Sequence, residues 1–208
     1  KSVKYLGIFI DCFLNWSTHL TSLSKKLSRA AGMLSKIRHY VDWNTLHMVY
    51  FGIFSSIMSY GSQIWGQLND ITKKVQVLQN KALRIMHFQP SRTSATPLFK
   101  ISEILKITDL VSVQNFLFAY DSLNDNLPLP LRGKLNFLNR ENQITRNLGY
   151  LQLSRPRTKT VTYGTKSIYS KSVDVWNCIN RSHYTKVLHE KSRNVCKNFV
   201  KKIIIDKY

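Results

Sequence analysis

The chain has 208 residues, and its 43% hydrophobic and 12% aromatic content excludes an intrinsically disordered chain and predicts a packed core in one large domain or two small ones. No apolar run reaches the length of a membrane span, the first residues do not form a signal peptide, and three scattered cysteines, Cys12, Cys178 and Cys196, exclude a disulfide scaffold and point to a reducing, intracellular setting. Thirty-one Lys and Arg against eleven Asp and Glu give a net charge of +20, an excess that calls for a polyanionic partner, with nucleic acid favoured over a membrane surface.

Residues 3–10 are β-rich (Val3, Tyr5, Ile8, Phe9, Ile10) and read as one strand, or two short strands pivoting near Gly7. The segment is too short to stand as a sheet, so a partner strand is expected from outside it. The first helix follows, because Leu20, Leu23, Leu27, Ala30, Leu34, Ile37 and Val41 recur at intervals of three and four. Asn15 or Ser17 is expected to cap it. Lys25, Lys26, Arg29 and Lys36 fall largely off that seam and form a basic outer face. Asp42 or Asn44 caps a second helix with Leu46, Val49, Tyr50, Ile53, Phe54 and Ile57 inward, and Tyr60-Gly61 stops it. A third helix starts near Asp70, with Ile71, Val75, Leu78, Ala82 and Ile85 on one face. Three such helices with short joins close a bundle.

FQPSRTSATP, residues 88–97, reads as a loop. A fourth helix spans 108–123, capped by Thr108, with Leu110, Val113, Leu117 and Tyr120 inward. LPLPLRG, 127–133, is expected not to be helix because its alternating prolines remove donors and clash; it reads as a stiff linker or a packed extended arm. Residues 145–164 read as two short extended segments around Arg155-Pro156-Arg157. Helices follow at 166–179, with Ile168, Val175, Trp176 and Ile179 as core, and at 192–206, with Val195, Phe199 and Ile203 inward. The fold class expected is therefore mainly α, with a short N-terminal strand or hairpin and a small α-rich C-terminal part carrying a few short strands.

Catalytic motifs are sparse. Asp11, Asp42 and Asp70 are isolated, whereas a nucleotidyl-transfer site needs acids close together to hold two metal ions. Asp121 and Asp125 form the one close acidic pair and read as loop and cap chemistry. No phosphate-cradling glycine loop and no nucleophile elbow occurs. Cys178, His183, His189 and Cys196 have intervals that match no common zinc module; the cysteines read as small buried residues and the histidines as surface. The basic charge is uneven. Residues 1–90 carry eleven basic and three acidic residues, 91–138 five and four, and 139–208 fifteen and four.

Val3-Lys4-Tyr5-Leu6-Gly7-Ile8, followed by Asp11, Leu14, Trp16, His19 and Leu20, resembles the stretch that leads from catalytic palm to thumb in non-LTR (LINE-type) retrotransposon reverse transcriptases. Lys26-Leu27, Leu34-Ser35-Lys36-Ile37-Arg38, the series Leu46, Tyr50, Ser59, Tyr60-Gly61 and Trp65, and the run Leu78-Gln79-Asn80-Lys81-Ala82-Leu83-Arg84-Ile85 resemble successive thumb motifs. Thr145-Arg146-Asn147, Arg155-Pro156-Arg157-Thr158, Tyr169 with Ser172, Val175-Trp176-Asn177 and Phe199 with Lys201-Lys202 are similar to the jockey- and CR1-like branch. Asn177 departs from that pattern, being followed by Cys178-Ile179 in place of Leu-Pro.

The resemblance implies a domain order of a palm-end, primer-grip-like strand (1–12), an α-helical, three-helix thumb (13–90), a connecting helix and proline-containing linker (91–138) and a basic C-terminal domain (139–208). It implies a C-terminal fragment of an RNA-directed DNA polymerase that grips a primer–template and is not catalytic by itself. The family's catalytic aspartates lie upstream of the first matched motif, so Mg2+ is expected for the palm and none for this chain. On this reading the chain opens in mid-strand as the tail of a larger sheet.

The resemblance implies that Lys4 meets a phosphate, that Gly7 allows close backbone approach, and that Tyr5 either stacks on the nucleic acid or packs inward. Lys25, Lys26, Arg29 and Lys36 either neutralise phosphates along the duplex or form a solvated face. Arg146, Arg155 and Arg157, with Lys159 and Lys166, form a second basic patch or brace irregular loops. Trp16, His19 and Trp65 read as packing residues at helix junctions. The partners implied are an RNA/DNA hybrid, template RNA, target DNA, and the palm and fingers of the same polyprotein, in the nucleus or cytoplasm. A stand-alone nucleic-acid-binding module and a decayed remnant of an element are the alternatives.

Overall fold

The computed structural model describes residues 2–137, 152–182 and 192–208. Thr145, Arg146, Asn147, His183 and His189 lie outside the described residues. The chain is mainly helical with an N-terminal two-stranded hairpin. It divides into two compact units, Lys1–Val111 with Ile204–Tyr208, and Ser112–Ile203.

In the first unit, β1 (Ser2–Tyr5) and β2 (Ile8–Asp11) pair antiparallel, with Tyr5 opposite Ile8 and Ser2 opposite Asp11. The expected outside partner is thus supplied within the segment itself. Leu6 and Gly7 turn the chain with φ of 45° and 82°, the doubly left-handed geometry whose twist matches the flanking strands.

Asp11 sets the entry to α1 (Ser17–Ile37). Its buried carboxylate accepts the N–H groups of Phe13 (3.2 Å), Asn15 (2.9 Å) and Trp16 (2.7 Å). Asn15 contributes as expected, taking the Ser17 N–H at 3.0 Å. The N-cap position itself is Trp16, which provides no side-chain acceptor. The helix stops at Ile37, short of Val41.

The second predicted helix is three pieces. Asp42 caps α2 (Trp43–Val49) through the Asn44 N–H, a wide π-helical stretch covers Tyr50–Ser55, and α3 (Ser56–Ser59) ends at Tyr60. The widened turn leaves carbonyls without i+4 donors. Ser56 serves them by donating its hydroxyl to Gly52 O at 2.6 Å, with Ile53 O at 3.1 Å. Then follow α4 (Ser62–Trp65), α5 (Asn69–Met86) and α6 (Thr96–Ile101). Residues 96–97 therefore open a helix, where a loop was expected; proline suits a first helical turn because its missing N–H is unpaired there in any case.

The core of this unit joins Leu20, Leu23, Leu27, Ala30 and Leu34 of α1 to Tyr50, Phe54, Met58, Trp65, Val75, Ala82 and Leu83. Each large side chain buried in this way contributes about 1.5–3 kcal/mol. Trp16, His19 and Trp65 are buried, as packing residues should be. Tyr208 returns to the unit, its hydroxyl accepting from Lys106 N–H at 2.9 Å and donating to Asp109 at 2.5 Å.

The helix α7 (Ile107–Leu123) contributes residues to both units. In the second unit, Phe116 stacks on Trp176 of α8 (Ile168–Ser182) at 5.1 Å. Asn177 clamps Leu153, accepting its N–H at 2.9 Å and donating to its carbonyl at 3.0 Å. Leu153 forms an isolated antiparallel bridge with Phe137.

Four expectations are corrected in this unit. Leu129–Leu131 makes a single 3₁₀ turn, and Val161–Thr165, expected to be extended, makes a π-helical turn. The last helix, α9 (Arg193–Ile205), buries Cys196 and Val200, while Val195 and Phe199 are exposed. Cys196 is buried as expected, but Cys178 is exposed. Among the described residues no helix is long and apolar enough to cross a membrane.

Candidate nucleic-acid interface

The predicted basic face of α1 divides into two stripes. At about 100° per residue, Lys25, Arg29 and Lys36 fall within about 40° of one another, nearly opposite the buried seam of Leu20, Leu27 and Leu34. All three are exposed. Lys26 lies about 100° round from Lys25 and shares an edge of the helix with His19 and Ser22. A regular helix thus separates one predicted residue from the other three.

On the hairpin, Lys4 pairs across the strands with Phe9, its ammonium 5.8 Å from the ring centroid. Tyr5 is 65% exposed, so its ring is not part of the core. The Leu6-Gly7 turn is held by Tyr60, whose hydroxyl donates to Leu6 O at 2.6 Å. The left-handed turn, Ser22, Leu23 and Lys26 of α1, and Ser56, Ile57 and Tyr60 meet around a cavity of about 270 Å3, which Gly7 and His19 also line. Gly7 and Lys26, predicted separately, are brought together there.

His19 was expected only to pack, and it does so against Trp65 with ring centroids 5.8 Å apart. Its electrostatics go further. Phe9 N–H donates to His19 Nδ1 at 3.5 Å, which puts the proton of the neutral ring on Nε2. That buried Nε2 has no hydrogen-bond partner. Burial first, and then the Lys26 charge, hold the imidazole pKa below its ordinary value, so the ring is neutral at pH 7. The i, i+3, i+7 spacing of His19, Ser22 and Lys26 is visible in the sequence; the cavity is not, because its remaining walls come from residues far along the chain.

In the second unit, Arg155 donates through Nε to Asp174 at 3.0 Å and forms an ion pair with it. Arg157 is exposed. Arg146 belongs to the residues outside the description. The carboxylates do not converge: Asp11 is engaged by three backbone N–H groups, Asp42 by a helix start, and Asp121 pairs with Arg193. Among the described residues no three His, Cys, Asp or Glu side chains gather where a metal ion could be held. No step of a metal-dependent reaction is assigned to them.

Over 91 residues the chain is 32% identical to the probable RNA-directed DNA polymerase from transposon X-element of Drosophila melanogaster, covering 41% of this chain and 10% of that protein. Over 116 residues it is 28% identical to the corresponding protein from transposon BS of the same fly, covering 54% of this chain and 13% of that protein. The chain thus spans roughly a tenth of the length of these curated relatives. No family model and no solved structure matches it. What these comparisons give is a distant, partial similarity to the RNA-directed DNA polymerases of two Drosophila non-LTR transposons.

Proposed function

We propose that this chain is a nucleic-acid-gripping part of a retrotransposon RNA-directed DNA polymerase, holding an RNA/DNA primer–template while residues outside it perform the chemistry. The observation that carries the reading is the exposed stripe of Lys25, Arg29 and Lys36 on α1, on the side of the helix away from its buried seam. Cations at this spacing follow a phosphate backbone without reading sequence. The hairpin supplies Lys4 for a phosphate, Tyr5 for stacking on a sugar or base, and Gly7 for close approach. Arg157, exposed in the second unit, and Arg146 would meet template RNA or target DNA. The fingers and palm of the same polyprotein would provide the catalytic aspartates and their Mg2+. The similarity to the two transposon polymerases and the net charge of +20 both support this reading.

The test is binding of a short RNA/DNA hybrid by fluorescence anisotropy across a salt series. Affinity should fall with salt with a slope near −0.9 per phosphate neutralised. Replacing Lys25, Arg29 and Lys36 together by alanine should flatten that slope. Unchanged affinity and slope in the triple variant would remove α1 from the interface, and DNA synthesis by this chain alone would overturn its non-catalytic role.

A further inference from the structure

Three large aromatic side chains of the first unit stay in water: Trp43 is 39% exposed, Phe51 41% and Phe88 55%. Exposed rings scattered singly need no explanation, but contiguous ones do, and these belong to a strip of ring contacts. Phe51 meets His47 with centroids 4.9 Å apart, His47 meets Trp43 at 5.7 Å, and Trp43 meets His87 at 4.6 Å. Phe88 follows His87 in the chain and meets His39 at 5.2 Å. The strip is held in place by buried Ser102. His47 Nε2–H donates to the Ser102 carbonyl at 2.9 Å, and His87 Nε2 shares a 2.6 Å hydrogen bond with its hydroxyl. Rings fixed in advance lose little freedom when a ligand lies on them.

Phe88 carries a second signal. It stands just past the end of α5, its own N–H bonded to Ile85 O at 3.2 Å and the next N–H, of Gln89, to Arg84 O at 2.8 Å. Its φ is 55°. Glycine normally takes this position, because a side chain there is strained. Phe88 accepts that strain and remains exposed, so its ring is not there to fill the core. The Arg38 guanidinium lies 4.5 Å from its centroid, with Nη1 donating to Ile85 O at 2.8 Å. A cation is thereby fixed beside an exposed ring.

Charge narrows the choice of occupant. The segments that carry the rings, residues 36–51 and 81–92, hold Lys36, Arg38, Lys81, Arg84 and Arg92 against Asp42 alone, and the Asp42 carboxylate already takes the Asn44 N–H. In the segment that carries Ser102, Lys100 balances Glu103. Aromatic faces set among cations suit a polyanion that also presents flat apolar rings.

We propose that this strip is a stacking platform for an unpaired nucleic-acid strand, RNA or DNA, with bases lying on Trp43, Phe51 and Phe88 and the surrounding cations attracting its phosphates. The inference goes beyond the grip on a duplex. Paired bases are stacked on one another and hide their faces, so a duplex cannot use the platform, and the platform needs neither Lys25 nor Arg29. Stacking takes any base, so the platform reads no sequence.

Trp43 reports on the site directly, because Trp16, Trp65 and Trp176 are buried. The full chain is titrated with an oligothymidine of about 12 nucleotides, within the site sizes of single-strand binders, with its uridine counterpart and with an abasic strand of equal length. The base-bearing strands should quench the tryptophan fluorescence saturably. The abasic strand should bind about tenfold more weakly and quench nothing. Trp43→Leu and Phe88→Gly should each weaken binding about tenfold, the scale of one stacked base. Phe88→Gly should also hold or raise the melting temperature, since glycine adopts the left-handed position without strain. Quenching by the uridine strand alone would retain the platform and assign it to RNA, and by the thymidine strand alone to DNA. Equal affinity for abasic and base-bearing strands, or unaltered binding in both variants, would overturn the platform and leave the grip on the hybrid standing. Quenching by the single strands without any binding of the hybrid would retain the platform and overturn the grip. A fluorescence change that follows protein concentration alone would show a second copy covering the strip, and would overturn the platform.

Discussion

The Tyr60 hydroxyl donates a 2.6 Å hydrogen bond to the Leu6 carbonyl, tying the end of α3 to a hairpin turn 54 residues earlier in the chain. Leu6 needs that tie, because φ of 45° is a conformation that side chains other than glycine's disfavour. Tyr60→Phe keeps the ring and removes the bond. Its expected effect on global stability is small, about 0.5–1 kcal/mol, since the bond is exposed. Its local effect is larger: amide hydrogen exchange of Gly7 and Ile8 should accelerate while that of the α5 amides stays unchanged. Equal protection of the turn in both proteins would show that the hairpin holds itself.

Gly61 lies at the other side of the same junction. Its φ is +61°, and a methyl group there would come within 2.5 Å of Ile8 Cδ1. Ile8 is buried in the core, so it has little room to withdraw. Gly61→Ala should destabilise the chain by about 2 kcal/mol, combining the left-handed backbone penalty with overpacking. Urea unfolding monitored by tryptophan fluorescence measures this; a loss under about 0.5 kcal/mol would mean that Ile8 repacks freely.

Two basic positions that look alike in sequence should behave differently. Arg155 shares its charge with Asp174, whereas Arg157 is exposed on the same irregular segment. In the hybrid-binding salt series, Arg157→Ala should reduce the slope by about 0.9 and Arg155→Ala by less. Neither should lower stability by more than about 1 kcal/mol, the scale of an exposed ion pair. A larger salt effect at Arg155 would show that the Asp174 pair opens on binding.

The unequal legibility of these features has physical causes. The buried face of α1 could be read because its apolar residues form one seam with cations opposite, whereas that of α5 was read in part: Ile71, Val75 and Ala82 are buried, Leu78 and Ile85 are half-buried, and Gln79, Leu83 and Met86 complete the face. In α9, Val195-Phe199 and Cys196-Val200 are both i, i+4 pairs, so spacing alone permits either face inward; the structure buries the second. The segment 145–164 was read as two short extended pieces, yet Val161–Thr165 forms a π-helical turn. The basic stripe of α1 was legible because it needs one helix and no tertiary information. The cavity was not, since it needs residues 7, 19–26 and 56–60 to converge.

Two imidazoles converge on Ser102, His47 Nε2 at 2.9 Å from its carbonyl and His87 Nε2 at 2.6 Å from its hydroxyl. Burial, and secondarily His47, lower the His87 pKa from 6.5. With the folded pKa below the unfolded one, the unfolded chain binds the proton more readily. The His87 contribution is therefore fully present above 6.5 and is lost as pH falls from there through the folded pKa. Unfolding midpoints in urea should be lower near about pH 5 than near about pH 7.5, with a smaller difference in His87→Gln. An identical pH dependence in the two proteins would remove His87 from the account.

Gln79 provides the severest test of the first unit's architecture. It is fully buried on α5. Its amide nitrogen donates to the Tyr50 hydroxyl at 3.1 Å and to the Leu105 carbonyl at 2.8 Å, and its oxygen accepts the Ile107 N–H at 3.0 Å. One side chain thus serves the π-helical stretch, the approach to α7 and the first residue of α7. Gln79→Leu has similar bulk but strands the Tyr50 hydroxyl and the Leu105 carbonyl, while the Ile107 N–H keeps Gln76 Oε1 at 3.3 Å, and each unpaired buried group costs about 1–3 kcal/mol. The expected loss is about 2–5 kcal/mol, with some relief from water entering the gap. Tyr50→Phe removes only one partner and should cost about 1–2 kcal/mol. The double variant should be less destabilised than the sum of the two, because Gln79→Leu no longer strands the Tyr50 hydroxyl once that group is gone. Additive losses in a double-mutant cycle would place the Gln79→Leu penalty away from Tyr50, at the Leu105 carbonyl, and show that the Tyr50 bond contributes independently.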